Sequence, residues 1–214
     1  MIAIIDYGTG NLLSVRNAFE AVAGGAEVFV THSPKELEKA SHIVLPGVGS
    51  FPVGMENLTR FGMVDALRRE IIERGKPFLG ICLGMQLLME EGEESGIHPG
   101  LGLLPGRVKK LSSGDNPRLH LGWNNLTDVA PGSLLDGAEG KDFYFVHQYV
   151  CDAPTETAAA YCNYGQRFVA AIERDNIFAT QFHPEKSRKT GLDVLKGFLR
   201  GKPCLKYDWF LSCS

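Results

Sequence analysis

Pro77-Phe78-Leu79-Gly80-Ile81-Cys82-Leu83-Gly84-Met85-Gln86 passes from a short apolar run, through a cysteine flanked by glycines, into residues of helical habit. Pro77 to Ile81 reads as a buried strand and Leu83 to about Glu91 as a helix. The G-x-C-x-G between them has the form of a nucleophile elbow, with cysteine where hydrolases of that type often carry serine. Such a turn presents its apical side chain at the carboxyl end of a strand. The helix that begins there contributes free N–H groups and a positive dipole end, both of which favour a thiolate.

Working outward, the chain before this segment alternates short β-rich runs with amphipathic stretches, the pattern of βα units around a mostly parallel sheet. Strands are expected at Ile2 to Asp6, Glu27 to Thr31 and His42 to Leu45, the last stopped by Pro46. Helices are expected at Leu12 to Ala23, at about Gly54 to Thr59 and at Met63 to Arg74. A short one follows Ser33-Pro34-Lys35-Glu36, which supplies an N-cap, a first-turn proline and a capping-box glutamate. After Gln86, turns rich in glycine and proline separate short strands near Arg107 to Leu111, His120 to Asn124, Asp142 to Val150, Thr157 to Cys162, Phe168 to Glu173 and Ile177 to Phe182. These are expected to add antiparallel segments to the same sheet. A last helix, Ser187 to Arg200, follows. With 214 residues and no internal repeat or linker-like shift in composition, the reading is one domain over residues 1–201 with a tail at 202–214.

Composition narrows the function. Lys and Arg number 22 against 25 Asp and Glu, for a formal charge of −3, so there is no basic footprint for nucleic acid. No apolar run is long enough to span a bilayer, and Met1-Ile2-Ala3-Ile4-Ile5 reaches Asp6 too soon for a signal peptide. A cytoplasmic protein without membrane contact is expected. Five cysteines, an odd number without a C-x-x-C pair, argue against a disulfide framework or a thiolate zinc site. The histidines show no paired ligand spacing, and Gly8-Thr9-Gly10-Asn11 lacks the third glycine of a dinucleotide turn. Neither a metal nor a cofactor is expected.

A thiol nucleophile needs a base, and the base an orienting group. In Thr180-Gln181-Phe182-His183-Pro184-Glu185 the proline biases His183 toward extended backbone, where residues two apart point the same way. His183 and Glu185 thus complete a Cys82–His183–Glu185 triad. Alone, H-P-E also suits a solvated turn and a free cysteine also suits a core; the two segments together favour catalysis. Oxyanion donors are expected from the Leu83 N–H and from the loop Gly47-Val48-Gly49 after the third strand. Gln86, four residues beyond Cys82 on the same helical face, is placed to hydrogen-bond a substrate.

Together, Pro46-Gly47-Val48-Gly49, the Gly80 to Gln86 elbow and Phe182-His183-Pro184-Glu185-Lys186-Ser187 resemble the motifs of the triad, class I glutamine amidotransferases, whose fold is flavodoxin-like α/β. Within that family Ile5-Asp6-Tyr7-Gly8-Thr9-Gly10-Asn11-Leu12, Gly122-Trp123-Asn124 and Tyr144-Phe145-Val146-His147 resemble the glutaminase subunits of imidazole glycerol phosphate synthases. The resemblance implies hydrolysis of L-glutamine through a cysteinyl thioester. Ammonia would then pass to a separate cyclase subunit in a heterodimer serving histidine biosynthesis. It implies glutamine contacts at Gly49, Gln86, His147 and Gln148, the last standing where relatives carry a small serine or threonine. It places Asn11, Trp123, Tyr144 and Lys186 at or near the cyclase. Competing readings are a class I glutaminase feeding a different synthase, a freestanding cysteine hydrolase, and a catalytically idle scaffold.

Overall fold

The computed structural model describes residues 1–201; the expected tail, 202–214, lies outside the described residues. The first half alternates β1 (Ile2–Ile5), α1 (Leu12–Val22), β2 (Val28–Thr31), β3 (His42–Gly47), α2 (Phe51–Arg60), α3 (Met63–Arg68), β4 (Phe78–Cys82) and α4 (Leu83–Gln86). Then follow β5 (Glu91–Gly92), β6 (His98–Pro99), β7 (Arg107–Lys110), β8 (His120–Asn125), β9 (Asp142–His147), β10 (Tyr149–Asp152), β11 (Ala158–Tyr164), β12 (Gln166–Arg174), β13 (Ile177–Thr180) and α5 (Arg188–Arg200). The main sheet runs β11-β12-β13-β4-β3-β1-β2, parallel from β13 to β2 and antiparallel at β11 and β12.

Successive side chains of a strand face opposite ways, and here both faces are covered. Ile2 and Ile4 enter a core shared with Val15 and Phe19 of α1 and Val194, Leu195 and Phe198 of α5. Ala3 and Ile5 enter the opposite core, with Leu58, Met63 and Leu67 of α2 and α3. The mixed α/β fold is therefore as expected, but four local expectations fail.

The third strand does not stop at Pro46. It pairs with β4 to Gly47, opposite Cys82, while its pairing with β1 ends at Val44. In a parallel ladder alternate residues bond to alternate neighbours, and His42 N–H donates to Met1 O toward β1 whereas Ile43 N–H donates to Pro77 O toward β4. Pro46, in phase with His42, has its missing N–H on the β1 side, so the β4 ladder continues past it.

The helix after Cys82 is one turn, not a helix to Glu91. The chain instead turns back into β5, with Leu101, Leu103 and Leu104 N–H groups taking carbonyls of Leu87 and Leu88. The segment Asp142 to Val150 is two strands in different sheets: β9 pairs with β8, and β10 with β7. Thus β8 and β9 form one small sheet and β10-β7-β5-β6 another, and only β11 to β13 extend the main sheet. Lastly, Ser33 makes no capping hydrogen bond to the 3₁₀ turn Pro34–Lys39; Glu36 accepts from the Thr31 hydroxyl instead.

Candidate active site

Cys82 ends β4 with a left-handed φ of 53° and ψ of −105°, a conformation that costs a non-glycine residue free energy and is held only where its surroundings dictate it. Glycine at 84 is one of those constraints. A side chain there would collide with the Leu45 carbonyl of β3, so the chain can fold back over the adjacent strand only with no Cβ at that position. The helix that begins beside the sulfur is the single turn of α4.

Beside Cys82 stands His183. This residue follows β13, the neighbour of β4, with β backbone angles (φ −100°, ψ 97°). Its Nδ1 lies 2.8 Å from Glu185 Oε1, and both side chains are almost fully buried. The other nitrogen, Nε2, is buried and meets no conventional hydrogen-bond partner. Burial by itself opposes the imidazolium, but the Cys82 sulfur and the Glu185 carboxylate outweigh it and push His183 up to about 10. With Nδ1 given to Glu185, Nε2 is the nitrogen left for the sulfur, and the acid-base order of a triad follows. The backbone holds this set: His183 N–H donates to Tyr144 O at 2.9 Å, Ser187 Oγ donates to His183 O at 2.6 Å, and Tyr144 N–H donates to Ser187 Oγ at 3.0 Å.

Cys82 opens into a cavity of about 160 Å³ lined in part by Val48, Gly49, Leu83, Gln86, His147 and Gln148, so the expected oxyanion and substrate residues, Gly47 excepted, share one space with the sulfur. The expected Leu83 donor is not free. With Ile43 N–H bonded to Pro77 O, the same phase of the β3–β4 ladder directs the Gly47 carbonyl at the Leu83 N–H. Gln86 has its amide nitrogen engaged, 2.9 Å from Tyr149 O and 3.0 Å from Gln181 Oε1, which leaves its oxygen for a ligand. His147 has both ring nitrogens occupied, by Tyr149 O at 3.0 Å and His120 Nδ1 at 3.1 Å. Burial, then the neighbouring His120, holds it down to about 3, so it forms the cavity wall as a neutral ring.

Two residues of the site escaped the sequence reading. Gln181 is buried and donates from Nε2 to Cys82 Sγ at 3.5 Å; its place two residues before His183 on one extended face was a usable signal. Glu94 lines the cavity and accepts from Phe51 N–H at 2.7 Å. It reaches the cavity through the turn back after α4, which no local pattern announces. Trp123 and Tyr144 face each other on β8 and β9 with ring centres 6.0 Å apart. Lys186 Nζ lies 5.6 Å from the Tyr144 ring centre, and the Arg188 guanidinium 4.9 Å from that of Trp123. Trp123 is 44% exposed. Asn11 is exposed and caps α1, its side chain accepting from Ser14 N–H at 3.3 Å.

A glycine-braced cysteine, a histidine fixed by glutamate and a neighbouring glycine loop are the layout of a thiol acyl-transfer site, and the family model "Glutamine amidotransferase class-I" matches residues 3–201. The chain belongs to the class I glutamine amidotransferases. It is a glutamine-hydrolysing enzyme. Imidazole glycerol phosphate synthase subunit HisH 1 of Campylobacter jejuni (strain RM1221) is 47% identical over 202 residues, 94% of this chain and 100% of that relative. Subunit HisH of Methanothermobacter thermautotrophicus is 52% identical over 200 residues, 93% and 98% of the two chains. Among solved structures, PurLQS from Thermotoga maritima superimposes with a TM-score of 0.70 at 20% identity, covering 94% of this chain and 97% of that one. That likeness concerns the fold alone. Among the described residues no group of three or more histidine, cysteine or acidic side chains is placed to hold a metal, and no helix is long and apolar enough to cross a membrane.

Proposed function

We propose that this amidotransferase is the glutaminase subunit of an imidazole glycerol phosphate synthase, hydrolysing L-glutamine and delivering the ammonia to a cyclase subunit. The observation that carries the catalytic part is the buried Glu185–His183 pair, with its free nitrogen left to the Cys82 sulfur. The partner assignment rests on the two HisH relatives, similar over nearly the whole chain.

In this reading the Cys82 thiolate, stabilised by the adjacent imidazolium, attacks the γ-carboxamide carbon. His183 gives its proton to the departing ammonia, leaving a γ-glutamyl thioester. The now neutral His183 takes a proton from water, whose oxygen attacks the thioester, and glutamate leaves as the sulfur recovers its charge. Glu185 keeps the imidazole in one tautomer throughout. Glu94 is the acidic group of the cavity and suits the substrate ammonium, with the Gln86 carbonyl beside it. Gly49 and Gln148 line the rest.

Two negative oxygens form along this route, and each needs donors. A missing oxyanion donor costs roughly 10²–10³ in rate. With Leu83 N–H facing the Gly47 carbonyl, the isolated subunit is a slow glutaminase. Turning the Gly47–Val48 peptide frees Leu83 and supplies the Val48 N–H. The cyclase biases that turn by docking on Asn11, Trp123, Tyr144 and Lys186; Tyr144 is tied by backbone to His183 itself. Coupling of this kind spares ammonia, which in water is mostly protonated and not nucleophilic.

The experiment is glutamate release by the purified chain with and without the cyclase subunit and its substrate. A rise of about 10² or more is expected on assembly. Equal rates in both conditions would contradict the partner assignment.

A further inference from the structure

Tyr7 is a polar group beside the catalytic centre that the chemistry above leaves idle. Its ring is fully buried, and its hydroxyl has no hydrogen-bond partner among the described residues. The Thr9 hydroxyl is also buried, near enough to Tyr7 to act on the phenol but in no hydrogen bond of ordinary geometry. A buried hydroxyl without a partner destabilises a fold, where phenylalanine of the same shape would not. Such a cost persists where another state of the protein uses the group.

The place of the hydroxyl indicates which state. It occupies the spot where a side chain on Gly47 would stand, so only glycine fits there. The turn that carries it also touches this strand: a Cβ on Gly10 would lie 3.6 Å from Gly47 Cα. Tyr7 and Thr9 follow β1, which flanks β3 on the side away from β4. At rest the Gly47 carbonyl is directed toward Leu83, the first residue of α4. Half a turn of the Gly47–Val48 peptide about its flanking Cα atoms exchanges its two polar groups. The Val48 N–H swings toward the Cys82 cavity, and the carbonyl swings toward β1, where it requires a donor.

We infer that the Tyr7 hydroxyl, with Thr9 beside it, is the donor that receives the displaced Gly47 carbonyl, so that Tyr7 is a positioning residue for the oxyanion hole. The two idle hydroxyls then satisfy the displaced carbonyl in the competent state, and the resting state leaves them unpaired. The loop therefore has two arrangements of similar free energy, which is what a partner needs in order to shift it. Burial and the charge of Cys82 raise the phenol well above its ordinary range, with Thr9 acting in the opposite sense, and a phenol so placed keeps its proton and remains a donor.

This inference rests on the glutaminase reading above and is tested on the full chain with its cyclase. Tyr7→Phe keeps the ring and removes the oxygen, so its melting temperature should equal or exceed that of the wild type. Its cyclase-stimulated kcat for glutamine should fall about tenfold, the worth of one hydrogen bond made in the transition state but not in the ground state, with KM within twofold of the wild type. Affinity for the γ-aldehyde of glutamate, whose thiohemiacetal oxygen occupies the oxyanion hole, should fall by a similar factor. If the wild type hydrolyses glutamine and binds the aldehyde, and Tyr7→Phe matches it in both, the Tyr7 assignment is overturned and the glutaminase reading stands. A wild type that does neither removes the glutaminase reading and this inference with it.

Discussion

Two buried histidine pairs lie side by side in this protein and carry opposite charge states. His183, paired with Glu185 and adjoining Cys82, is pushed up to about 10 although burial works against its charge. His120 and His147, 3.1 Å apart, are held down to about 4 and about 3, chiefly by the same burial. His120 is stacked between Phe145 and Tyr164, ring centres 4.8 and 4.1 Å away, and the pair has no carboxylate. Burial alone neutralises a histidine; an acidic partner reverses the outcome. One pair can therefore shuttle protons, while the other gives the neutral His147 ring to the wall of the same cavity.

The comparison can be broken at several points. Cys82→Ala should remove glutamine hydrolysis by at least about 10³-fold, while synthesis from added ammonia in the assembled enzyme persists; retained hydrolysis would assign the nucleophile elsewhere. Glu185→Gln should come next, with kcat lower by roughly 10²–10⁴ because the imidazole loses both its tautomer and its counter-charge. A steady-state assay of the complex reads it, and a loss under tenfold would reduce Glu185 to packing. Gly47→Ala drives a methyl group into the Tyr7 hydroxyl and should destabilise the fold by about 1–3 kcal/mol in urea unfolding, along with loss of stimulation.

The smallest effect belongs to the neutral pair. His120 and His147 take up protons in the unfolded chain near pH 6.5 but in the folded one only near 4 and 3. Between those limits the unfolded state binds more protons, so stability falls as pH falls from about 6.5 toward 4. His120→Phe, which suits the surrounding rings, should flatten that slope by up to about 1.4 kcal/mol per pH unit. An unchanged slope in denaturation curves between pH 7 and 5 would place the titration elsewhere.

The catalytic centre was legible where chemistry depends on short spacing: G-x-C-x-G forces the elbow and H-P-E aligns the base with its carboxylate. Reading failed where long-range pairing decides. Nothing local to Asp142–Val150 says that the chain changes sheets at Gln148, or that α4 ends after one turn because the following leucines fold back onto it. Pro46 looked like a strand terminator because sequence does not show which neighbour its missing N–H faces. Glu94 and Tyr7 were missed for the same reason, since their importance lies in what the fold sets beside them. Gln181 shares the extended face of His183 and was within reach.

The most direct measurement is the protonation of the His183 imidazole, followed by nitrogen-15 NMR of histidine-labelled protein at pH 7, in the wild type and in Cys82→Ala. An imidazolium is expected at position 183 in the wild type, beside neutral rings at 120 and 147, and a marked fall in the pKa of His183 once the sulfur is gone. A neutral His183 in the wild type, or one whose titration ignores the loss of Cys82, would contradict it.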